Sequence, residues 1–382
     1  MIRLLPGLTN NNTIKILITN VEYFVTMITV WVIAFLFMLI FQMDASSKYA
    51  INHLSDCSSI LWPGIMAGII WGGIFKLVEL FRPRIPLYSM SIVASILINI
   101  VSAYLIIYVM YQWEHLLPLG QFPHEDVDLK TFYNSYLFLA VLAYFFVVGT
   151  LIEVFMRVAR KFGQGVLRKL LMGRYYKPKE EERIFLFMDL KSSTYYAEKL
   201  GHFRYSKLIQ DCFRDLSYAV RKNNARIYQY VGDEVVLTWK VKQGVRRWQC
   251  IQLYFDFVDT LNKRQDYYQK HYGMVPIFKA GVHAGKVMVA EVGELKTEIA
   301  YHGDAINTAA RIQCLCNPYN TRLLISGDLL EKLKSVDNNC TEFAFLERVL
   351  LTGKEVPTEI YKWNNFSRVD GERCHVPGSD RS

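Results

Sequence analysis

The chain has 382 residues, enough for two or three domains, with a hydrophobic share of 52% and a formal net charge of +9. Seven of the 44 basic and nine of the 35 acidic residues fall within 1–156, leaving 37 and 26 for the remainder, so the positive charge belongs to the second half. That balance suits an anionic membrane surface or a polyphosphate substrate as well as nucleic acid, while seven scattered cysteines, with Cys314 and Cys316 only one residue apart, exclude a zinc module.

Residues 1–156 carry four apolar segments, at about Val21–Met43, Ile60–Leu80, Leu87–Gln112 and Phe132–Met156. Each approaches the roughly 20 residues needed to cross the hydrocarbon core, and four in series would exceed any soluble core. The first is too long and too late for a cleaved signal peptide. Lys76, Arg82 and Arg84 in the Phe75–Pro86 stretch, and the basic run after the fourth segment, place both termini in the cytoplasm by the positive-inside rule. The expectation is a multi-pass plasma-membrane protein with four helices. Glu22 and Glu153 fall near helix ends, where interfacial charge is tolerated.

Residues 157–180 read as a basic connector. Arg157–Arg183 contains nine basic residues against three acidic ones, suited to anionic headgroups or to a two-stranded helical link across a dimer.

A third unit, residues 181–363, opens on Arg183-Ile-Phe-Leu-Phe-Met-Asp189-Leu-Lys-Ser-Ser-Thr194. Five apolar residues form a buried strand that delivers Asp189 to its end, and Ser192, Ser193 and Thr194 are natural N-cap residues for the helix that follows. That helix buries Leu208, Ile209, Cys212, Phe213, Leu216 and Val220. A hairpin turns at Gly232-Asp233-Glu234, and a long helix spans about Val245–Tyr272. Strands Ile277–His283 and Val287–Val292 are separated by a tight turn at Ala284-Gly285. Glu298–His302 precedes a helix that Asp304 caps, and the last strands lie near Leu323–Ser326, Phe343–Leu351 and Glu359–Trp363. Strands alternating with helices, together with hairpins, predict an α+β sandwich. His283 and His302 sit in strand patterns and read as structural. Residues 364–382 form a polar, disordered tail.

Asp189 and Asp233, each at a strand end or turn, can hold one or two divalent ions whose coordination a substrate's phosphates complete. Asn307 and Arg311, four residues apart on one helix face, add a polar positioner and a phosphate clamp.

Four segments in this order, Met-Asp189-Leu-Lys-Ser-Ser-Thr, Tyr-Val-Gly-Asp233-Glu, Ala-Gly-Val-His-Ala-Gly285 and Gly-Asp304-Ala-Ile-Asn307-Thr-Ala-Ala-Arg311, resemble the successive signatures of class III nucleotidyl cyclases. The resemblance implies a ferredoxin-like catalytic core acting as a head-to-tail homodimer. It implies two divalent cations, Mg2+ or Mn2+, on Asp189 and Asp233, with Asn307 positioning the ribose and Arg311 stabilising the phosphates. Lys354 matches a second phosphate-binding cation, and Leu190, Lys191, Ser192, Ser193 and Thr194 match the triphosphate cradle.

The chain departs from the family where the base is chosen. The position four residues before the second aspartate, usually Lys in adenylyl cyclases, is Gln229, and the partner position, usually Asp or Thr, is Ala300. ATP is the expected substrate on family frequency, with GTP or a pyrimidine nucleotide still open, and no nucleic-acid partner is expected. The competing reading is a membrane receptor with a non-catalytic cyclase-like domain. The filled positions Asp189, Asp233, Asn307 and Arg311 weigh against it.

Overall fold

The computed structural model describes residues 21, 23–37, 57–81, 96–108, 136–162, 173–295, 297–336 and 342–364. Glu22, Trp113, most of the inter-helix loops, connector residues 163–172 and the tail beyond Asn364 lie outside the described residues. The chain divides into two compact units, Met1–Arg160 and Lys161–Ser382.

The first unit contains helices α1 (Tyr23–Phe37), α2 (Cys57–Phe81), α3 (Ile96–Tyr108) and α4 (Tyr136–Phe162). Among the described residues one stretch, Phe138–Met156, is long and apolar enough to cross a membrane; the apolar parts of the other three helices are shorter. Trp31, Trp71 and Phe145 cluster at ring separations of 5.2 and 5.3 Å. Gly64 and Gly68 let α2 meet the α1 backbone, since a Cβ on Gly68 would lie 2.6 Å from the Ile28 Cα. Glu153 is buried, and Asn99 Nδ2 donates to its Oε2 at 3.2 Å.

The second unit is built on an eight-stranded mixed sheet. In chain order its elements are β1 (Lys179–Leu190), α5 (Ser193–Lys222), β2 (Arg226–Val231), β3 (Glu234–Lys240), α6 (Gln249–Lys263), α7 (Gln265–Tyr272), β4 (Phe278–Val292) and β5 (Glu298–His302). They continue with α8 (Asp304–Cys314), β6 (Leu323–Ser326), α9 (Gly327–Lys334), β7 (Phe343–Val349) and β8 (Thr358–Trp363). The strand order is β2-β3-β1-β4-β6-β8-β7, with β5 paired to the second half of β4. Among the described strands only β4 and β6 pair in parallel, the others antiparallel.

Strand periodicity sorts β1 onto two faces. Ile184, Leu186, Met188 and Leu190 enter the larger core with Leu208, Leu253 and Phe257 from the helices, and Trp239, Trp248 and Trp363 are buried there. Phe185 and Phe187 face the other side, where α8 covers the sheet with Ala305 and Ala309. Asp189 follows the parity of Phe185 and Phe187, so it emerges on the α8 side.

Three expectations are corrected. The Ala284-Gly285 turn does not exist: β4 is one continuous 15-residue strand. Its glycines serve close packing instead. A Cβ on Gly281 would lie 2.6 Å from the Gln313 Cα and 2.8 Å from the Ala309 carbonyl oxygen, and one on Gly285 would meet the Ala305 Cβ at 2.7 Å. The single helix over Val245–Tyr272 is broken, because Arg247 and Trp248 both adopt φ 53 before α6 starts and α7 is separate. Ser192 occupies the N-cap of α5 but makes no side-chain cap; its backbone is left-handed at φ 59, the conformation a glycine adopts without strain.

Candidate active site

The antiparallel register places Lys279 of β4 directly opposite Asp189 of β1, and Lys279 Nζ lies 3.2 Å from Asp189 Oδ2. Gln313, from the buried side of α8, donates to the same oxygen at 3.4 Å. Asp233, in the β2–β3 turn, completes the group. Burial first, then the Asp233 charge, pushes the Asp189 carboxyl above the usual carboxylate range, with Lys279 pulling the other way. Glu234 is raised to about 7 by burial and by the same two aspartates. The Tyr205 hydroxyl of α5, pushed up to about 12 by burial and by the Asp233 charge, lines the same spot.

The group fits a divalent cation. Asp233 Oδ2 is buried without a hydrogen-bond partner, and two mutually repelling carboxyls share a half-buried position. Among the described residues no set of three His, Cys, Asp or Glu is disposed to hold an ion. Asp189 and Asp233 are thus the carboxylates this position presents to such an ion.

The other expected residues form a second group. Asn307 and Arg311 share one face of α8, whereas Gln313 lies about 200° around the axis from Arg311 at roughly 100° per residue. Asn307 is exposed and Gln313 is buried. The Arg311 guanidinium borders Gly353, where an added Cβ would lie 3.5 Å from it. Lys354, one residue on, pairs with Asp304 at 2.9 Å, and Thr308 donates to the same carboxylate at 3.1 Å. Burial raises Asp304, but the Lys354 ammonium outweighs it and holds the carboxyl below its ordinary range. The chain thus brings Asp189 and Asp233 together, and Asn307, Arg311 and Lys354 together, on opposite sides of one helix.

The expected cradle is only partly available. Leu190 is fully buried in the large core, and the Lys191 N–H is bonded to the Ile277 carbonyl at 2.8 Å. What remains for an anion are the first-turn N–H groups of α5, from Ser193 and Thr194 onward, which have no intrahelical acceptor. Gln229 is exposed on β2 and Ala300 lies opposite Ala290 on β5. Their neighbours Tyr228 and Tyr301 meet edge to face at 4.9 Å, joining the two strands, with Arg183 over the Tyr301 ring at 5.1 Å.

Sequence reasoning did not single out Lys279, Gln313, Tyr205 or Glu234. Glu234 was visible beside Asp233. Lys279 and Gln313 needed the strand register and the helix seating.

Residues 175–363 match the family described as Adenylate and Guanylate cyclase catalytic domain. Adenylate cyclase 2 of Rhizobium meliloti (strain 1021) is 39% identical over 196 residues, which are 51% of this chain and 54% of that protein. Adenylate cyclase 1 of the same organism is 22% identical over 48% of this chain and 27% of its own length. The chain therefore spans about half the length, or less, of these curated relatives. A solved bacterial light-regulated adenylyl cyclase shares the fold at a TM-score of 0.50 and 19% identity, over 60% of this chain and 66% of that one. Residues 175–363 form an adenylate/guanylate cyclase catalytic domain, and the chain carries an adenylate cyclase-like nucleotidyl cyclase unit.

Proposed function

We propose that the chain is a membrane-anchored nucleotidyl cyclase. It converts a nucleoside triphosphate, ATP in preference, to the 3′,5′-cyclic nucleotide and pyrophosphate at sites shared between two copies of the chain. The observation that carries this reading is the two-sided placement on α8. Asn307 and Arg311 face away from Asp189 and Asp233 of their own chain, so a complete constellation requires a second copy whose α8 faces the first copy's carboxylates.

Asp189 and Asp233 would hold two divalent ions, Mg2+ or Mn2+, which when bound lower the pKa of the ribose 3′-hydroxyl and neutralise the triphosphate. The first-turn N–H groups of α5 receive phosphate oxygens. Asn307 of the second copy orients the ribose for in-line attack on the α-phosphate. Arg311, held in place beside Gly353, meets the charge that develops on the transferring phosphoryl group. Lys354 leaves Asp304 to engage the departing phosphates. Adenine is favoured by the names of the relatives and by the Gln229 amide, which both donates and accepts; Ala300 adds no polar group.

Membrane anchoring is supported by the apolar side chains that the first unit turns outward, among them Ile33, Leu97, Val101, Leu139 and Leu151. These would face lipid, with the basic connector and the catalytic unit on the cytoplasmic side of the plasma membrane.

The test is turnover by the full-length protein in mild detergent with Mn2+ or Mg2+, offering ATP, GTP, CTP and UTP separately. Cyclic AMP is the expected main product. A folded, dimeric preparation that cyclises none of the four overturns the reading.

A further inference from the structure

Gln313 occupies an unusual place. It is buried at 3% exposure on the sheet-facing side of α8, and it gives its side-chain N–H to Asp189. The helix that supplies it is seated without slack, because any side chain at Gly281 or Gly285 would drive into the Gln313 backbone or into Ala305. The Asp189 carboxylate is therefore hydrogen-bonded to a helix packed tightly against β4. The outward face of that element carries Asn307 and Arg311.

We infer that Gln313 is a positioning residue that links the two active sites of the dimer. It ties the carboxylate pole of the site at which its own chain supplies Asp189 to the ribose- and phosphate-gripping face that its own chain lends to the other site. The inference rests on the shared-site reading above. A cation drawn to Asp189 in one site reorients the oxygen that Gln313 holds and so adjusts Asn307 and Arg311 in the other. The coupling has a physical carrier: one hydrogen bond and one helix pinned against β4.

The experiment uses full-length heterodimers purified through two different tags, one chain carrying Arg311→Ala. Only one site can then turn over, and its Asn307 and Arg311 come from the second chain, whose own Asp189 lies in the silent site. Asp189→Ala in that second chain is expected to lower kcat/KM of the working site by about threefold or more, the lower end of usual couplings. Gln313→Leu in the same chain is expected to do the same, and the two together no more than either alone. Additive losses show that Gln313 acts only through packing and overturn the inference, as does an unchanged working site. In Gln313→Leu homodimers the rise in melting temperature on adding Mn2+ is expected to be smaller than in the unmodified protein; an equal rise breaks the Gln313–Asp189 link. A heterodimer with no turnover at all, in a folded preparation, removes the shared-site reading itself and the inter-site link with it.

Discussion

The Gly281 Cα sits so close to Gln313 that no side chain fits between them: a Cβ there would lie 2.6 Å from the Gln313 Cα. Gly281→Ala therefore lifts α8 from the sheet or bends β4. Overpacking of this kind costs about 1–3 kcal/mol. Urea denaturation should show an unfolding free energy lowered by that amount, and cyclase turnover should fall further than stability alone explains. Unchanged stability would mean that the helix has room the geometry denies.

Asp233→Asn removes one of two carboxyls that repel each other across a half-buried site. The variant is expected to lose turnover, yet to be more stable than the unmodified protein in EDTA by about 1 kcal/mol, the usual sign of function stored as strain. Melting in EDTA checks this, and a lower melting temperature there refutes it.

His283 makes the fold sensitive to acid. Its ring is buried with Nδ1 2.8 Å from Ser326 Oγ, an oxygen that also accepts the Leu329 N–H. Burial pushes it down from 6.5 to about 4, against the pull of Asp328 and Asp304 and with the push of Lys354 and Lys332. Between those values the unfolded chain holds a proton that the folded chain does not, so stability falls as the pH drops from 6.5 towards 4. At 1.36 kcal/mol per unit this amounts to about 3 kcal/mol by the bottom of the window. His283→Gln should flatten that dependence in denaturation curves at pH 7, 6 and 5; an equally steep loss would place the sensitivity elsewhere.

Ser192 holds φ 59 at the entrance to α5. A left-handed residue with a Cβ is strained by about 1–2 kcal/mol, partly offset by the greater freedom glycine has when unfolded. Ser192→Gly should raise the unfolding free energy by up to about 1 kcal/mol, read from denaturation curves. A drop would show that the serine hydroxyl contributes more than its conformation costs.

In the first unit, Gly68→Val puts branched carbons where the Ile28 Cα already stands at 2.6 Å from a Cβ. The α1–α2 contact should open, lowering the melting temperature of the detergent-solubilised protein. Gly73, which has open space around it, is the control, and Gly73→Ala should be near neutral.

Much of this was legible in the residues. The run Ile184–Met188 announces a buried strand because its apolar block is unbroken, and Asp189 at its end stands out against it. Asn307 and Arg311 are readable as one face because four residues make nearly one helical turn. The glycines of β4 misled, since glycine as a turn former and glycine as a gap for a crossing helix look alike in one dimension. Lys279 and Gln313 were invisible for a related reason: their meeting with Asp189 depends on antiparallel register and helix seating, neither of which leaves a local pattern. Ser192 read as a side-chain cap, but its left-handed backbone makes none.

Trp239, Trp248 and Trp363 all lie in the large core on the face of the sheet away from Asp189. They are at most 4% exposed. The catalytic unit therefore carries its own optical reporter of integrity, blind to occupancy. Once the emission of the first unit's tryptophans is subtracted, a shift in indole emission signals loosening of that core, whereas loading of the carboxylate side should leave it unmoved and must be followed by another probe.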